Sequence, residues 1–298
     1  MKHLYLPVPF PLFQSAPTRR SRGRPAAFAL LLAVSPSVFA APGGLPGSGP
    51  DPSTTAWREA TRYLFRESEA AFAAAPENTE TRLGRAALLL LRQPRTQENL
   101  ERAVEELRPL AAAPAPDAVA PLARYLLARI EQVHRPSPDL VSAAAHYRLL
   151  IQEHPGHLLA EQAWTKLALI ELHAPGLSST ERLALHAEFA ARADSLTHQP
   201  ARRDLHLALG AIARQHALGD ESILRHYVAA DQVGVVRPVQ RAGVQVIIGE
   251  TARRLGRTDL AREYFERFLA EFPRDYRRRT IQDRLAALSP ASLPAAPR

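Results

Sequence analysis

Ten of the eleven histidines fall between His134 and His226, and imidazole is the side chain best suited to bind a metal or move a proton near neutral pH. His154 and His157 flank the Pro155–Gly156 turn, close enough in sequence to reach one ion. A structural or catalytic zinc needs a third protein ligand, and here there is neither an HExxH pair nor a cysteine to supply it. The histidines are therefore expected to be solvated, on helix faces and in turns. Paired carboxylates occur at Glu105–Glu106 and Asp220–Glu221. On a helix, neighbours point about 100° apart, so neither pair converges as a general acid and base must. Solvated edges are expected, with Asp220 as a helix cap. No nucleophile elbow, phosphate-cradling glycine loop or serine-lysine motif is present. A chain without catalytic residues, cofactor or metal is expected.

Arginine is the remaining chemistry. It accounts for all but two of the 38 basic residues. Arg274, Arg277, Arg278, Arg279 and Arg284 could engage phosphate or an acidic protein, but Asp275 and Asp283 dilute them and a wet terminal face is the simpler reading. Glu250 lies one turn before Arg253 and Arg254, which predicts local pairing. The formal charge of +8 owes five units to Lys2, Arg19, Arg20, Arg22 and Arg24. Without them 33 basic residues face 30 acidic ones, a surplus of three that is too small to suggest nucleic acid.

The elements that must carry these groups are helices. Hydrophobic residues make up 46% of the 298 and aromatic ones 6%, and the Ala- and Leu-rich balance favours helix over sheet. Residues 1–40 read as a signal peptide: a basic stretch from Arg19 to Arg24, a nine-residue apolar run from Ala26 to Val34, and Val38-Phe39-Ala40 as the cleavage site. That run is far short of the roughly 20 residues a spanning helix needs, so no integral span is expected after cleavage and the mature chain is expected in the periplasm. Residues 41–53, rich in Gly and Pro, read as a flexible linker. Residues 54–289 are the helical body and 290–298 a disordered tail. Within the body the pattern predicts helices at Thr55–Ala75, with Trp57, Tyr63, Leu64 and Phe72 as core, at Thr79–Arg92, and at Glu98–Ala112, with Ala103, Leu107 and Leu110 inward. Further helices are expected at Leu158–Leu172, Thr180–Ser195, Arg202–Ala217, Glu221–Ala230 and, as a terminal cap, Asp275–Leu288.

The clearest unit is Val244 to Pro273. Gly249 lies mid-helix, Leu255-Gly256 ends that helix, and Thr258 or Asp259 is placed to cap the next. Ala261, Phe265 and Pro273 then follow at intervals of four and eight, and Ala143, Tyr147 and Pro155 repeat those intervals. In the unit that ends at Pro155 the earlier small residue is Ala128, fifteen before Ala143 rather than the twelve that separate Gly249 from Ala261. Trp164 and Ala168 mark the start of another unit. The pattern resembles the tetratricopeptide repeat, in which small residues let two antiparallel helices approach while an aromatic fills the gap. The resemblance implies an all-α, right-handed solenoid of five or six antiparallel helix hairpins with a C-terminal capping helix.

In that family the first helix of each repeat lines a concave face. By that resemblance Tyr125, Arg129, Gln132, Thr165, Leu169, Val246, Glu250 and Arg253 would face a groove. The lysine-asparagine clamp of some members is not matched: Gly243, Val246 and Glu250 stand on the corresponding faces, and Lys166 is the only lysine after the leader. A mixed apolar and charged groove favours an extended segment or helix of another envelope protein. A scaffold or adaptor is expected; the alternative is an envelope enzyme or accessory that binds peptidoglycan or another polysaccharide on a helical support.

Overall fold

The computed structural model of the chain describes residues 52–94, 96–113 and 118–288. The expected signal peptide, nearly all of the linker and the C-terminal tail lie outside the described residues. What is described is all-α, with thirteen α-helices, one π-helical turn and no strand among those residues. The helices are α1 (Pro52–Thr61), α2 (Phe65–Ala74), α3 (Thr79–Leu91), α4 (Gln97–Ala111), α5 (Ala120–Arg129), α6 (Leu140–Glu153) and α7 (Leu158–Leu172). They continue as α8 (Ser179–Ser195), α9 (Gln199–Gln215), α10 (Asp220–Val233), α11 (Pro238–Arg254), α12 (Thr258–Glu271) and α13 (Arg278–Ala286). Among the described residues no helix is long and apolar enough to cross a membrane.

Local chemistry explains many of the boundaries. Asn78, Thr96 and Asp139 each accept a backbone N–H from the first turn of α3, α4 and α6, and Ser178 with Glu181 forms a reciprocal capping box at α8. Gly256 ends α11 at φ +71°, as its position in the repeat predicts. The cap expected from Thr258 or Asp259 is not formed. The residue preceding α12 is Arg257, and no side chain caps it. Likewise Asp220 is not the cap of α10: Gly219 precedes that helix and Asp220 sits in its first turn. The terminal helix begins at Arg278, three residues later than expected, and buries Ile281 while its remaining residues are exposed or partly so.

The largest departure from the sequence pattern is at the N-terminal end. The single helix expected over Thr55–Ala75 is two helices, α1 and α2, starting at Pro52 and reversing through Tyr63 at φ +64°. Arg62-Tyr63-Leu64 contains no Gly or Pro, so nothing in the local sequence signals a break. Packing decides it: the reversal stacks Phe72 edge-on to Trp57 at 5.5 Å and lets Ser68 Oγ donate to the Ala56 carbonyl. Phe72 is core as expected, whereas Tyr63 (54% exposed) and Leu64 (42%) are not.

Extensive contacts join consecutive helices along the chain and also link α1 to α3, α5 to α7 and α7 to α9. The interior forms three apolar clusters: a small one of α1, α2 and Leu88 of α3, a large one running from α3 to α9, and one running from α9 to α13. Helix α9 belongs to two of them. Leu205, Leu209 and Ile212 point into the preceding cluster, and Leu207 and Ala213 into the following one. Aromatic rings fill the close approaches: a Cβ on Gly249 would lie 2.4 Å from Phe265, and one on Gly84 would lie 2.2 Å from Phe72. A third such contact, Gly210 beneath Tyr227 at 2.9 Å, joins α9 to α10, a pair whose sequence carries no clear repeat landmark.

Candidate functional site

The face built by α5, α7 and α9 gathers most of the polar groups predicted for a groove. Its shape begins with the extra residues between Ala128 and Ala143. Helix α5 runs into a π-helical turn, Ile130–His134, which widens the backbone ring by one residue and re-aims the side chains on it. That turn places Gln132 between two elements. Its Oε1 accepts from Arg129 Nη1 at 2.8 Å and from the Tyr147 hydroxyl of α6 at 2.9 Å. The Tyr125 ring stands against Tyr147 with centroids 5.9 Å apart. Tyr125, Arg129, Gln132 and Tyr147 are therefore one connected group, although the spacing of Tyr147 predicts only a structural part for it.

Lys166 of α7 joins this group electrostatically. It is mostly buried, and burial pushes its ammonium down to about 8, with Arg129 acting in the same direction and Asp204 of α9 opposing. The Tyr125 phenol is raised by burial, an effect Arg129 weakens and Asp204 reinforces. Asp204 of α9 thus acts both on Lys166 of α7 and on Tyr125 of α5. Asp204 is itself held by Arg203 at 2.9 Å.

Two of the expected groove residues are not on an open surface. Tyr125 is 6% exposed and Thr165 9%. Both hydroxyls are shielded from solvent with no hydrogen-bond partner, an arrangement that costs about 1–3 kcal/mol per group. Arg129, Gln132 and Leu169 remain partly exposed beside them.

The other predicted groove residues belong to a separate part of the molecule. Val246, Glu250 and Arg253 lie on α11, against the cluster that begins at α9. Glu250 accepts from Arg253 at 3.1 Å and from Arg284 of α13 at 3.2 Å, so its charge is committed to closing the C-terminal end. Of the two arginines expected to pair with Glu250, Arg254 instead forks onto Asp220 of α10 at 2.7 and 2.8 Å. The carboxylate pairs also have interhelix partners. Glu221 is held by Arg257 at 2.7 Å and Glu106 by Arg82 at 3.1 Å. At the cap, Arg277 grips Asp275 and lies over Phe268 at 5.3 Å.

The histidines depart furthest from what their polarity predicts. His186, His206 and His226 are buried, not solvated, and His173 is bonded to His216 at 3.0 Å. The signal was available in the spacing, since the three buried histidines are twenty residues apart on three successive helices. Among the described residues no group of three or more His, Cys, Asp or Glu could hold a metal ion.

Compared with known proteins, the chain matches no family model and no curated sequence.

Proposed function

We propose that this chain is a non-catalytic scaffold of the bacterial envelope, a right-handed tetratricopeptide-like solenoid that holds an extended segment or helix of another protein. In this reading α1 to α12 form six antiparallel pairs, α13 is the cap, and α5, α7 and α9 line the inner face. Export rests on the leader of residues 1–40, cleaved near Ala40. The small-residue and aromatic contacts at Gly249–Phe265 and Gly210–Tyr227, together with the α5–α7–α9 contacts, support the repeat architecture.

The observation that carries the function is the partly exposed set Arg129, Gln132 and Leu169 on the α5–α7–α9 face, where charged, polar and apolar surface lie side by side. Tyr125 and Thr165 keep their polar atoms away from water without a hydrogen bond, next to the partly exposed Arg129 and Leu169. The fit is to a chain with both apolar and acceptor groups, as the backbone and side chains of a peptide provide.

The test is in-cell cross-linking of a C-terminally tagged copy in its native host, followed by mass spectrometry. One envelope protein is expected in near-equal amount, lost on Leu169→Arg and retained with Arg279→Ala at the far end. Recovery of glycan fragments, or of the same proteins from both variants, would remove the adaptor reading.

A further inference from the structure

Helices α8, α9 and α10 each send one histidine to a common buried point. His186, His206 and His226 are 3%, 2% and 1% exposed. His206 Nδ1 lies 3.0 Å from His226 Nδ1, so one ring must donate and the other accept, and the acceptor has to be neutral. His186 Nε2 donates to the Leu209 carbonyl at 3.1 Å, and its ring stands edge-on to His226 with centroids 5.0 Å apart. Among the described residues these three rings are not grouped so as to hold a metal ion. They act as packing groups that carry a latent charge.

The surroundings give that charge little compensation. The charged groups acting on the three rings are Asp194 of α8, Arg202 of α9 and Arg225 of α10; α7 and α11, packed against α9 and α10, add no further charge to them among the described residues. Asp194 Oδ1 is 3.6 Å from His206 Nε2, but its other oxygen is held by Arg225 at 2.6 Å and the carboxylate is half exposed. Burial lowers all three histidines. His226 is pushed to about 3, with His186, His206 and Arg225 as successive further causes.

We infer that the three histidines are an acid-sensitive latch: in mildly acidic solution they take up protons and the α8–α9–α10 seam opens, while the helices on either side stay folded. The position supports a local opening, because α9 is where the interior passes from one apolar cluster to the next. The sign follows from linkage. A histidine in an opened chain protonates near its ordinary value of about 6.5, whereas the folded rings resist. Their contribution to closure is therefore present above that pH and is lost as pH falls below it toward the folded values. Each pH unit below about 6.5 multiplies the opening constant by roughly ten per histidine while the folded ring stays neutral. Carboxylates held low by hydrogen bonds, Asp220 and Asp275 among them, lose their contribution only below about pH 4.5, so the interval from pH 7.5 to 5.5 belongs to the histidines. His173 and His216 form a second pair nearby, less buried and facing Arg182, and provide an internal control.

Hydrogen exchange read by mass spectrometry on the full chain at pH 7.5 and 5.5, corrected for intrinsic rates, tests this directly. Peptides covering 186–233 are expected to lose protection at least tenfold on acidification, with α3–α4 and α11–α12 changing less than threefold. His226→Phe keeps a buried ring but removes one proton site, so its acid-induced loss should fall several-fold, whereas His216→Gln should leave most of the loss in place. A uniform loss along the chain, or an unchanged one in His226→Phe, would overturn the proposal. The wild-type chain gives an independent reading through its ¹³C-labelled imidazoles. If the three buried rings titrate near 6.5 while 186–233 remains protected, there is no latch.

Discussion

Where α11 meets α12, Phe265 fills the notch left by Gly249, and beside it Phe268 is fully buried and Tyr264 nearly so. Where α9 meets α10, Tyr227 lies over Gly210 in the same manner, but the flank of that contact is His226 with His206 and His186. The two seams use the same steric device, a ring over a missing side chain. They differ in what surrounds the ring, and so in what the solvent can do to them. Hydrocarbon burial is insensitive to pH, whereas an imidazole core is stable only while its rings stay neutral. The C-terminal seam is also tied by Asp231, buried on α10, which accepts from Arg267 Nη1 at 2.6 Å and from the Tyr264 hydroxyl at 3.1 Å. The ion pair at the histidine seam, Asp194–Arg225, is half exposed. Similar packing thus gives one seam that holds under acid and one that responds to it.

The sharpest break in this contrast is Phe265→Ala. It empties the notch and should cost about 3–5 kcal/mol, or roughly 6–20 °C in Tm for a body of this size, with the same loss at pH 7.5 and 5.5 in thermal melts. A loss that grows on acidification would mean the two seams do not differ as described. Gly249→Leu drives a side chain into the Phe265 ring and should cost about 3 kcal/mol. Pairing it with Phe265→Ala should recover part of that cost in urea unfolding, since the two changes share one space; strict additivity would show that Gly249 and Phe265 do not meet.

Asp231→Ala leaves Arg267 and the Tyr264 hydroxyl without their acceptor. The expected cost is about 2 kcal/mol, below that of a fully buried pair because Arg267 reaches solvent. Chemical denaturation at low and high salt checks it, and the loss should be nearly independent of salt. The smallest effect is expected at Gly210→Ala. The 2.9 Å approach to Tyr227 is looser than that at Gly249, and the strain is offset by the roughly 1 kcal/mol that Ala gains over Gly inside a helix. A change of Tm above a few degrees would show that the α9–α10 contact is as tight as its C-terminal counterpart.

Much of the fold is legible because its causes are local. The helices at Thr79, Leu158 and Thr258 follow from apolar period and from turn residues such as Gly256, and the buried positions of Ala143, Tyr147, Ala261 and Phe265 follow from repeat spacing. The α1–α2 reversal has no local cause. It exists because Phe72 packs on Trp57 and Ser68 satisfies the Ala56 carbonyl. The candidate site divides in the same way. Arg129, Gln132 and Leu169 were readable as the partly exposed side of their helices, but Tyr125 and Thr165 were not readable as buried, because burial depends on how closely α5, α7 and α9 approach.

What the sequence by itself determined is where helices form and which residues of each are small, aromatic or charged, since propensity, capping and period act within a few residues. Which groups meet was decided by the tertiary structure. Asp220 finds Arg254 rather than acting as a cap, Glu250 is drawn to Arg284, and three histidines twenty residues apart share one dry space. Polarity predicts where a lone side chain prefers to be, but a histidine buried against two others depends on helices that only the folded chain brings together.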